Sequence, residues 1–541
     1  MRKLFIQNQK KVYIGLTLLI FILLRIVAWS NVKVVEDHDS IYYLSISKLI
    51  SDLDLKAISE ISPDATFLYP LFIAVFNLPG WFPEFGARLV TFSASILLFF
   101  SLFKLCVKVN NFTGSILCLL ILSFNPLFID FSVSILTEPF YIANVYFGFW
   151  YFLYLLEKPS LTKSFLLGII YGLSFLNRTE GIVFIVFIPL LLVAKYFLFN
   201  KKRELTIPLT IKLMSVFVFG FLLLSVPQIW STSAKMGTFA LNGRQVWQTI
   251  LHTPDKKSYD EKLRGLDYSD KDINLKFLQK NPEAYKSLKT ENYFTNEIKN
   301  FINGFNKAYS FQINQLVGIL VLLSVGMGIL SLLADKKTFE LFSFSAFFVF
   351  VLIPPLFHNF DLLRHIAISG PILMLLSGIG IYYLSNKIND IIINEKLKSF
   401  SSKYLAFVLF LLIPLSSTTM VYSSLKNPQA NLEYSSTDLH KSIEALRQSA
   451  GGNISQTIII SRKNYFPYYS GCKRVDLPFT TYDKLVGYAK LNKANYLYFQ
   501  STEIENYPYG QLFLDSNAPD FRLVYSTRDK NGQKVFLYKL K

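Results

Sequence analysis

The residues best suited to chemistry are charged side chains that stand beside long apolar runs of the sequence. An ionisable group in or at the end of a membrane-spanning segment is costly unless it faces a polar cavity, so such groups are candidates for function. The main candidates are Asp37, Asp39, Glu138, Arg178, Glu180, Arg364 and His365.

Carboxylates and arginines together suit the transfer of a group from a phosphate-linked donor. A carboxylate at the mouth of a cavity can accept the proton of an attacking hydroxyl group. Arginines can bind a phosphate leaving group bidentately and stabilise the charge that develops on it. We expect Asp39 to be the general base, and Arg178 and Arg364 to hold the phosphate.

The remaining carboxylates have two interpretations. Asp37, Glu138 and Glu180 would contact the acceptor, or they would bind a divalent cation together with Asp39. Oxygen ligands without a fixed spacing are a weak signal for a metal site, so the sequence predicts no certain cofactor. Taken singly, each charge also has the ordinary explanation of a loop or helix-terminus charge. The prediction therefore depends on their combination.

The elements that would position these residues are apolar runs long enough to cross a membrane. The chain has 541 residues, of which 52% are hydrophobic, and a soluble chain of this size cannot bury so much apolar surface. About eleven runs approach the roughly 17 to 25 residues that a span needs. They predict an all-α polytopic membrane bundle with spans near 12–29, 85–107, 112–129, 137–156, 165–176, 181–199, 207–230, 315–334, 339–357, 366–384 and 404–422.

Basic residues give the predicted orientation. Lys and Arg cluster in alternate connections, including 2–11, 201–203 and 387–403, and cytoplasmic connections carry such an excess. We therefore place the N terminus in the cytoplasm and every candidate residue on the outer side. The chain has a net charge of +18, but its Lys and Arg residues cluster in short connections rather than on one basic face, so no nucleic-acid partner is predicted. Arg25, inside the first run, is expected to extend its guanidinium group to the interface.

The predicted organisation is a transmembrane domain over 1–424, with outer loops at 30–84 and 231–314, followed by a small extracytoplasmic α/β domain over 425–541. In the first loop, apolar residues recur at helical spacing behind Asp39, which is expected to be an N-cap. They predict an amphipathic helix on the membrane surface. The tail shows a helical pattern, strand-like runs and a hairpin. They lie at 437–447, 457–461, 496–500 and, for the hairpin, 522–526 and 535–538.

Short segments around the candidates follow one another in a characteristic order. They are His38-Asp39-Ser40-Ile41-Tyr42-Tyr43, Leu68-Tyr69-Pro70-Leu71, Gly86-Ala87-Arg88-Leu89, Leu136-Thr137-Glu138-Pro139, Phe175-Leu176-Asn177-Arg178-Thr179-Glu180-Gly181, and Arg364-His365 ahead of Pro371. Over roughly 12–384 they resemble motifs of the GT-C superfamily of membrane glycosyltransferases. The resemblance is to its bacterial branch, related to protein O-mannosyltransferases and the lipid A aminoarabinose transferase.

The resemblance implies a glycosyltransferase with Asp39 in the catalytic acidic position and a polyprenyl-phosphate sugar as donor, bound from the bilayer. It places Arg178, Arg364 and His365 at the donor phosphate, and the acceptor would be a lipid, glycan or protein hydroxyl group outside a bacterial inner membrane. Ser40 stands where many relatives have a second acidic residue, and His365 where Tyr is common. These departures leave open a metal site at the first loop and the details of the donor contacts.

Other functions stay open on the residues alone. They are a transporter or flippase of a lipid-linked saccharide, a glycan ligase or polymerase of another fold, and a non-catalytic assembly or sensor protein. Transporters place polar groups near the bilayer midplane on broken helices in repeated halves. Here the middles of the runs are mostly apolar and no repeat is evident. The acidic first loop with its helix favours the transferase over the ligase and the sensor.

Overall fold

The computed structural model describes most of the two compact units into which the chain divides. The described residues are 2–32, 38–54, 66–77, 83–109, 112–199, 205–236, 239–241, 261, 265, 302–303, 313–358, 363–392, 395–426, 439–452, 454–528 and 534–541. The first, called the membrane unit, comprises Met1–Val32, Thr66–Trp230 and Phe294–Asn431. The second, called the α/β unit, comprises Lys33–Ala65, Ser231–Tyr293 and Leu432–Lys541.

Helices form nearly all of the described part of the membrane unit. Numbered along the whole chain, the helices are α1 (Arg2–Asn31), α2 (His38–Ser51), α3 (Leu68–Phe76), α4 (Pro83–Lys108), α5 (Phe112–Phe124), α6 (Pro126–Phe131), α7 (Thr137–Glu157), α8 (Leu161–Asn177), α9 (Phe184–Phe199), α10 (Ile207–Met236), α11 (Ile313–Val317), α12 (Ile319–Ala334), α13 (Thr338–His358), α14 (Leu363–Ile366), α15 (Gly370–Ile391), α16 (Glu395–Ser416), α17 (Thr418–Lys426), α18 (Leu439–Ser449), α19 (Tyr465–Ser470), α20 (Tyr482–Leu491), α21 (Ser501–Ile504) and α22 (Gly510–Leu514). Short 3₁₀ turns lie at Thr179–Val183, Ala367–Ser369 and Ile454–Gln456.

The predicted count of about eleven membrane spans is not confirmed, although each predicted run falls on helical segments. Among the described residues, five helices are long and apolar enough to cross a membrane, or six if the bent pair α16 and α17 is one span. Four further apolar helices have only 10–17 residues. One run is interrupted at Asn125, because Pro126 cannot continue the hydrogen-bond ladder of α5. Another is interrupted at Gly318, which has a φ of 81°.

Small residues let the helices around α15 approach at backbone distance. A Cβ atom on Gly328 of α12 would lie 2.0 Å from the carbonyl oxygen of Leu376 in α15. A Cβ atom on Gly380 would lie 1.9 Å from the carbonyl oxygen of Ser324. Gly378 makes the same kind of close contact with α5. Glycines at such crossings allow the close packing on which helix association in lipid depends.

Arg25 of α1 is completely buried, so the expectation that it extends to the interface was wrong. Its guanidinium group donates to the carbonyl oxygens of Phe21 at 3.3 Å, Ser123 at 3.1 Å and Leu122 at 3.2 Å. Leu122 lies four residues before Pro126, which has no N–H to donate. The guanidinium group therefore supplies hydrogen bonds that the carboxyl end of α5 lacks.

Helix α2 belongs to the α/β unit and contacts α19 there. It begins at His38, so Asp39 occupies the first turn of the helix and is not its N-cap. Ile41, Leu44 and Ile46 are buried. The predicted helix therefore exists. Of the apolar residues behind Asp39 that predicted it, Ile46 is buried, Tyr42 and Leu49 are half-buried, and Leu53, just after the helix, is 77% exposed.

A five-stranded mixed sheet forms the centre of the α/β unit, in the order β2-β1-β3-β5-β4. The strands are β1 (Ile458–Ser461), β2 (Lys473–Asp476), β3 (Tyr496–Gln500), β4 (Phe521–Arg528) and β5 (Lys534–Leu540). Strand β1 pairs in parallel with β2 and β3, whereas β5 is antiparallel to both β3 and β4. The connections from β1 to β2 and from β2 to β3 carry α19 and α20, as parallel pairing requires.

Side chains from this sheet and its helices form an aromatic core. Leu485 of α20, Leu497 and Phe499 of β3, Phe513 of α22 and Phe536 of β5 are all buried in one cluster. The predicted strands at 457–461 and 496–500 and the predicted hairpin are confirmed as β1, β3 and the β4–β5 pair. The turn predicted between β4 and β5 lies outside the described residues.

Candidate functional site

Glu138 stands in the first turn of α7, where its carboxylate is buried. The helix begins at Thr137, and Pro139 follows within the first turn. Proline is tolerated there because the first N–H groups of a helix have no partner within the helix. The start of α7 is therefore fixed locally, and it places a carboxylate at the end of the helix inside the protein.

Arg178 lies in the tight turn between α8 and the 3₁₀ turn Thr179–Val183. Its N–H donates to the carbonyl oxygen of Ser174, and its own carbonyl oxygen accepts from the N–H of Gly181, both at 2.9 Å. A Cβ atom on Gly181 would lie 2.6 Å from the backbone nitrogen of Phe175, so the turn needs glycine there. The turn directs the Arg178 side chain towards the start of α7.

Two hydrogen bonds join this turn to α7. The Asn177 side-chain amide donates to the carbonyl oxygen of Thr137 at 2.9 Å. Nη1 of Arg178 donates to the Thr137 hydroxyl oxygen at 3.2 Å. The end of α8 and the start of α7 are thus held together by polar side chains that the surrounding apolar helices bury.

Glu138 is the centre of a charged cluster. Nη1 of Arg178 lies 2.8 Å from Oε1 of Glu138, and Nε of Arg364 lies 3.6 Å from the same oxygen. Nη2 of Arg178 lies 2.8 Å from Oε1 of Glu180 and 3.4 Å from Nδ1 of His365. Glu138 therefore contacts two arginines, and Arg178 contacts two carboxylates.

The cluster lines a small open pocket with a volume of about 20 Å³, roughly enough for one water molecule. The walls come from α7, α13, α14 and the turn after α8. The lining residues are Glu138, Tyr141, Ile142, Arg178, Glu180, Val351, Arg364, His365 and Ile368. Apolar and charged groups share this wall.

The charges of the two arginines and the two carboxylates cancel when His365 is neutral. Both terminal nitrogens of Arg178 already have partners, so an incoming anion must displace one of them to reach that guanidinium group. The longer Arg364 contact is the weaker of the two that Glu138 makes. An anion that binds to Arg178 would therefore exchange places with one of these partners.

Five of the predicted site residues meet in this cluster: Glu138, Arg178, Glu180, Arg364 and His365. Asp39 lies on α2 in the α/β unit and is half-buried. Asp37 lies outside the described residues. Within the described ranges, no group of three or more His, Cys, Asp or Glu side chains is arranged to hold a metal ion.

Some residues of the site were not predicted from the sequence. Tyr141 lines the pocket, and it follows Glu138 by three residues on α7. Residues three apart share a helix face, so the helical period was the signal that could have found Tyr141. Thr137 and Asn177 were within the motif segments, but their role in joining α7 to α8 depends on packing between helices.

Part of the chain matches a known family by sequence. Residues 63–230 match the family described as dolichyl-phosphate-mannose-protein mannosyltransferase. This stretch contains Glu138, Arg178 and Glu180, whereas Arg364 and His365 lie beyond it. No curated protein matches the chain.

Solved structures of two other proteins share the fold. ArnT from Cupriavidus metallidurans, bound to undecaprenyl phosphate, is 11% identical with a TM-score of 0.58, and the match covers 97% of this chain and 98% of that one. The archaeal oligosaccharyltransferase AglB from Archaeoglobus fulgidus, in complex with an inhibitory peptide and a dolichol-phosphate, is 11% identical with a TM-score of 0.55. That match covers 96% of this chain and 74% of AglB. The chain therefore shares the fold of ArnT and AglB and, over residues 63–230, matches the dolichyl-phosphate-mannose-protein mannosyltransferase family by sequence.

Proposed function

We propose that this protein is a membrane glycosyltransferase that moves a sugar from a polyprenyl-phosphate donor to a hydroxyl group of a lipid, glycan or protein. The observation that carries the proposal is the convergence of Arg178 and Arg364 on Glu138 in an open pocket of a GT-C fold. Its relatives by fold bind undecaprenyl phosphate and dolichol-phosphate. A lipid-linked phosphate is the anion that fits both the charges and the apolar wall.

In the proposed reaction, the bond between the sugar carbon and the phosphate oxygen breaks as the acceptor oxygen forms a new bond to that carbon. The leaving phosphate gains negative charge in the transition state. Arg178 and Arg364 would stabilise that charge, and such preorganised donors contribute most where water is excluded. His365, 3.4 Å from Arg178, would add a hydrogen bond to the phosphate.

Asp39 would accept the proton of the acceptor hydroxyl group, by resemblance to the acidic residue of the family. Its position in the first turn of α2 suits a carboxylate, because the amino end of a helix favours negative charge. Glu138 would keep the two arginines at a fixed spacing. Glu180 and Asp37 are proposed as acceptor contacts, or as ligands of a divalent cation together with Asp39.

The site is proposed to face the outer side of a bacterial inner membrane. This orientation depends on the distribution of Lys and Arg among the connections. The outer face suits a lipid-linked donor, because no soluble nucleotide sugar needs to reach the site.

The assignment of Asp39 is tested by Asp39→Asn in membranes that contain the donor which copurifies with the protein, identified by mass spectrometry. We expect transfer to fall at least about 100-fold, the usual contribution of a general base, while the amount of inserted protein is unchanged. Asp52→Asn, an exposed change just after α2, is the matched control and should retain activity. Full activity of Asp39→Asn would show that another group is the base.

The same assay separates a transferase from a flippase. A flippase moves the intact lipid-linked saccharide across the bilayer and leaves its sugar–phosphate bond unbroken. A transferase releases free polyprenyl phosphate in an amount equal to the sugar transferred. Release of that lipid by the wild type and its loss in Asp39→Asn are expected here.

A further inference from the structure

We propose that Glu180 is a displaceable partner of Arg178: the lipid phosphate takes its place in the pocket, and its return helps to expel the polyprenyl phosphate product. The inference rests on the proposed function, since it concerns how the same pocket handles its phosphate. It assigns different roles to Glu138 and Glu180, which the sequence alone does not distinguish.

The surroundings of the two carboxylates differ. The Glu138 side chain is 6% exposed and contacts both arginines. The Glu180 side chain is 18% exposed, contacts Arg178 at 2.8 Å and lines the pocket. Removing Glu138 would leave the buried Arg178 and the half-buried Arg364 without their shared partner, whereas Glu180 can turn towards the opening at a smaller cost.

The local backbone also favours movement of Glu180 over movement of Glu138. Glu138 is anchored in α7, a helix of 21 residues. Glu180 lies in a 3₁₀ turn of five residues, Thr179–Val183. The hydrogen-bond geometry of a 3₁₀ turn is poorer than that of an α-helix. Rotation of the Glu180 side chain would break its ion pair with Arg178 and leave the Arg178–Glu138 pair in place.

The negative charge on the lipid phosphate increases during the reaction, so a carboxylate that competes for Arg178 can favour release of the product. The donor is a phosphodiester with one negative charge. The product is a phosphate monoester, which carries about 1.5 to 2 negative charges near neutral pH. Two arginines would hold the product more tightly than the donor, and a carboxylate that competes for Arg178 weakens the product complex.

Two measurable consequences follow from Glu180→Gln. The neutral amide competes less well for Arg178, so the dissociation constant for undecaprenyl phosphate should fall about tenfold, in the range of one charged hydrogen bond. Turnover should also become slower while the KM for the donor falls, because the product is released more slowly. Loss of a purely structural contact would not produce this combination.

The experiment is a titration of undecaprenyl phosphate into the purified full-length protein in detergent, followed by native mass spectrometry. Undecaprenol, the same lipid without the phosphate, is titrated in parallel. Glu157→Gln is the matched control, because it removes an exposed carboxylate from the other end of α7, where Glu157 contacts Lys108. Glu180→Asp keeps the negative charge and should give a dissociation constant between those of the wild type and Glu180→Gln.

Tighter binding of undecaprenyl phosphate by Glu180→Gln, with unchanged binding of undecaprenol and no effect of Glu157→Gln, would support the inference. Equal or weaker binding by Glu180→Gln, with wild-type binding intact, would overturn it and leave the proposed function standing. A folded wild-type protein that does not prefer undecaprenyl phosphate to undecaprenol would overturn both.

Discussion

Glu138 connects the two arginines of the pocket, of which Arg178 is buried and Arg364 half-buried. Arg178 and Arg364 reach the same carboxylate oxygen from different elements, the turn after α8 and helix α14. A buried charge that loses its partner is far more costly than an exposed one. Glu138 therefore has a structural role in addition to any part in the reaction.

The change Glu138→Gln should cost about 3–5 kcal/mol, the usual cost of breaking a buried ion pair. We expect a clear fall of the melting temperature in detergent, measured by the unfolding of the purified protein. Glu157→Gln, at the exposed end of the same helix, should cost no more than about 1 kcal/mol. Equal melting temperatures for the two variants would contradict the bridging role of Glu138.

At this scale the sequence identified charged groups but not their partners. The types and positions of Glu138, Arg178 and Arg364 were enough to predict them as site residues. Which carboxylate oxygen serves which guanidinium group depends on side-chain geometry that no spacing encodes. Arg25 was misinterpreted for a related reason, because its acceptors are carbonyl groups of α5, about a hundred residues away.

Among the elements, α15 contributes most to the packing of the membrane unit. It contacts α12 and α5 through glycines, and it directly follows the segment that carries Arg364 and His365. Tyr146 of α7 accepts from the N–H of Ile372 at 2.9 Å and donates to the carbonyl oxygen of Ile368 at 2.8 Å. The packing of α15 therefore also fixes the position of the pocket wall.

Two glycines of α12 give a matched test of this packing. A Cβ atom on Gly328 would lie 2.0 Å from the carbonyl oxygen of Leu376, whereas one on Gly326 would meet nothing within 4 Å. Gly328→Ala should separate α12 from α15 and destabilise the protein by about 1–3 kcal/mol or more. Gly326→Ala should be neutral or slightly stabilising, because alanine favours helices. The melting temperatures in detergent compare the two, and a harmless Gly328→Ala would contradict the close crossing.

The apolar runs predicted the positions of the helices well, because a helix buried in lipid or protein needs a long stretch of apolar residues. Their interruptions were harder to predict. Pro126 was visible in the sequence and marks the end of α5, whereas the break at Gly318 depends on a positive φ that the residue type merely permits. Counting apolar runs therefore does not show where a run is broken into two helices.

For the molecule as a whole, the grouping of distant segments is the main result that the sequence could not supply. Residues Lys33–Ala65 form one compact unit with Ser231–Tyr293 and Leu432–Lys541. Contacts such as the one between α2 and α19 join segments more than 400 positions apart. The positions of β1, β3 and the β4–β5 hairpin were predictable from the sequence, because each strand has its own local pattern of residues.

The proposed orientation can be tested by thiol labelling of whole cells. Lys541→Cys at the exposed C terminus should react with a membrane-impermeant maleimide, whereas Lys336→Cys in the connection after α12 should react only after permeabilisation. The native cysteines are buried. Burial also raises the pKa of the Cys472 thiol, so little thiolate is available to react. Labelling of Lys336→Cys in intact cells would contradict the proposed orientation.

The central claim is that Arg178 and Arg364 bind a lipid-linked phosphate, and the most direct measurement is the affinity of purified variants for undecaprenyl phosphate. The wild type should prefer undecaprenyl phosphate to undecaprenol. Arg364→Gln should weaken binding of the phosphate at least about tenfold, because it removes a charged hydrogen bond. Arg474→Gln, which removes an arginine paired with Asp476 in the α/β unit, should bind like the wild type. A folded Arg364→Gln protein with wild-type affinity would contradict the claim.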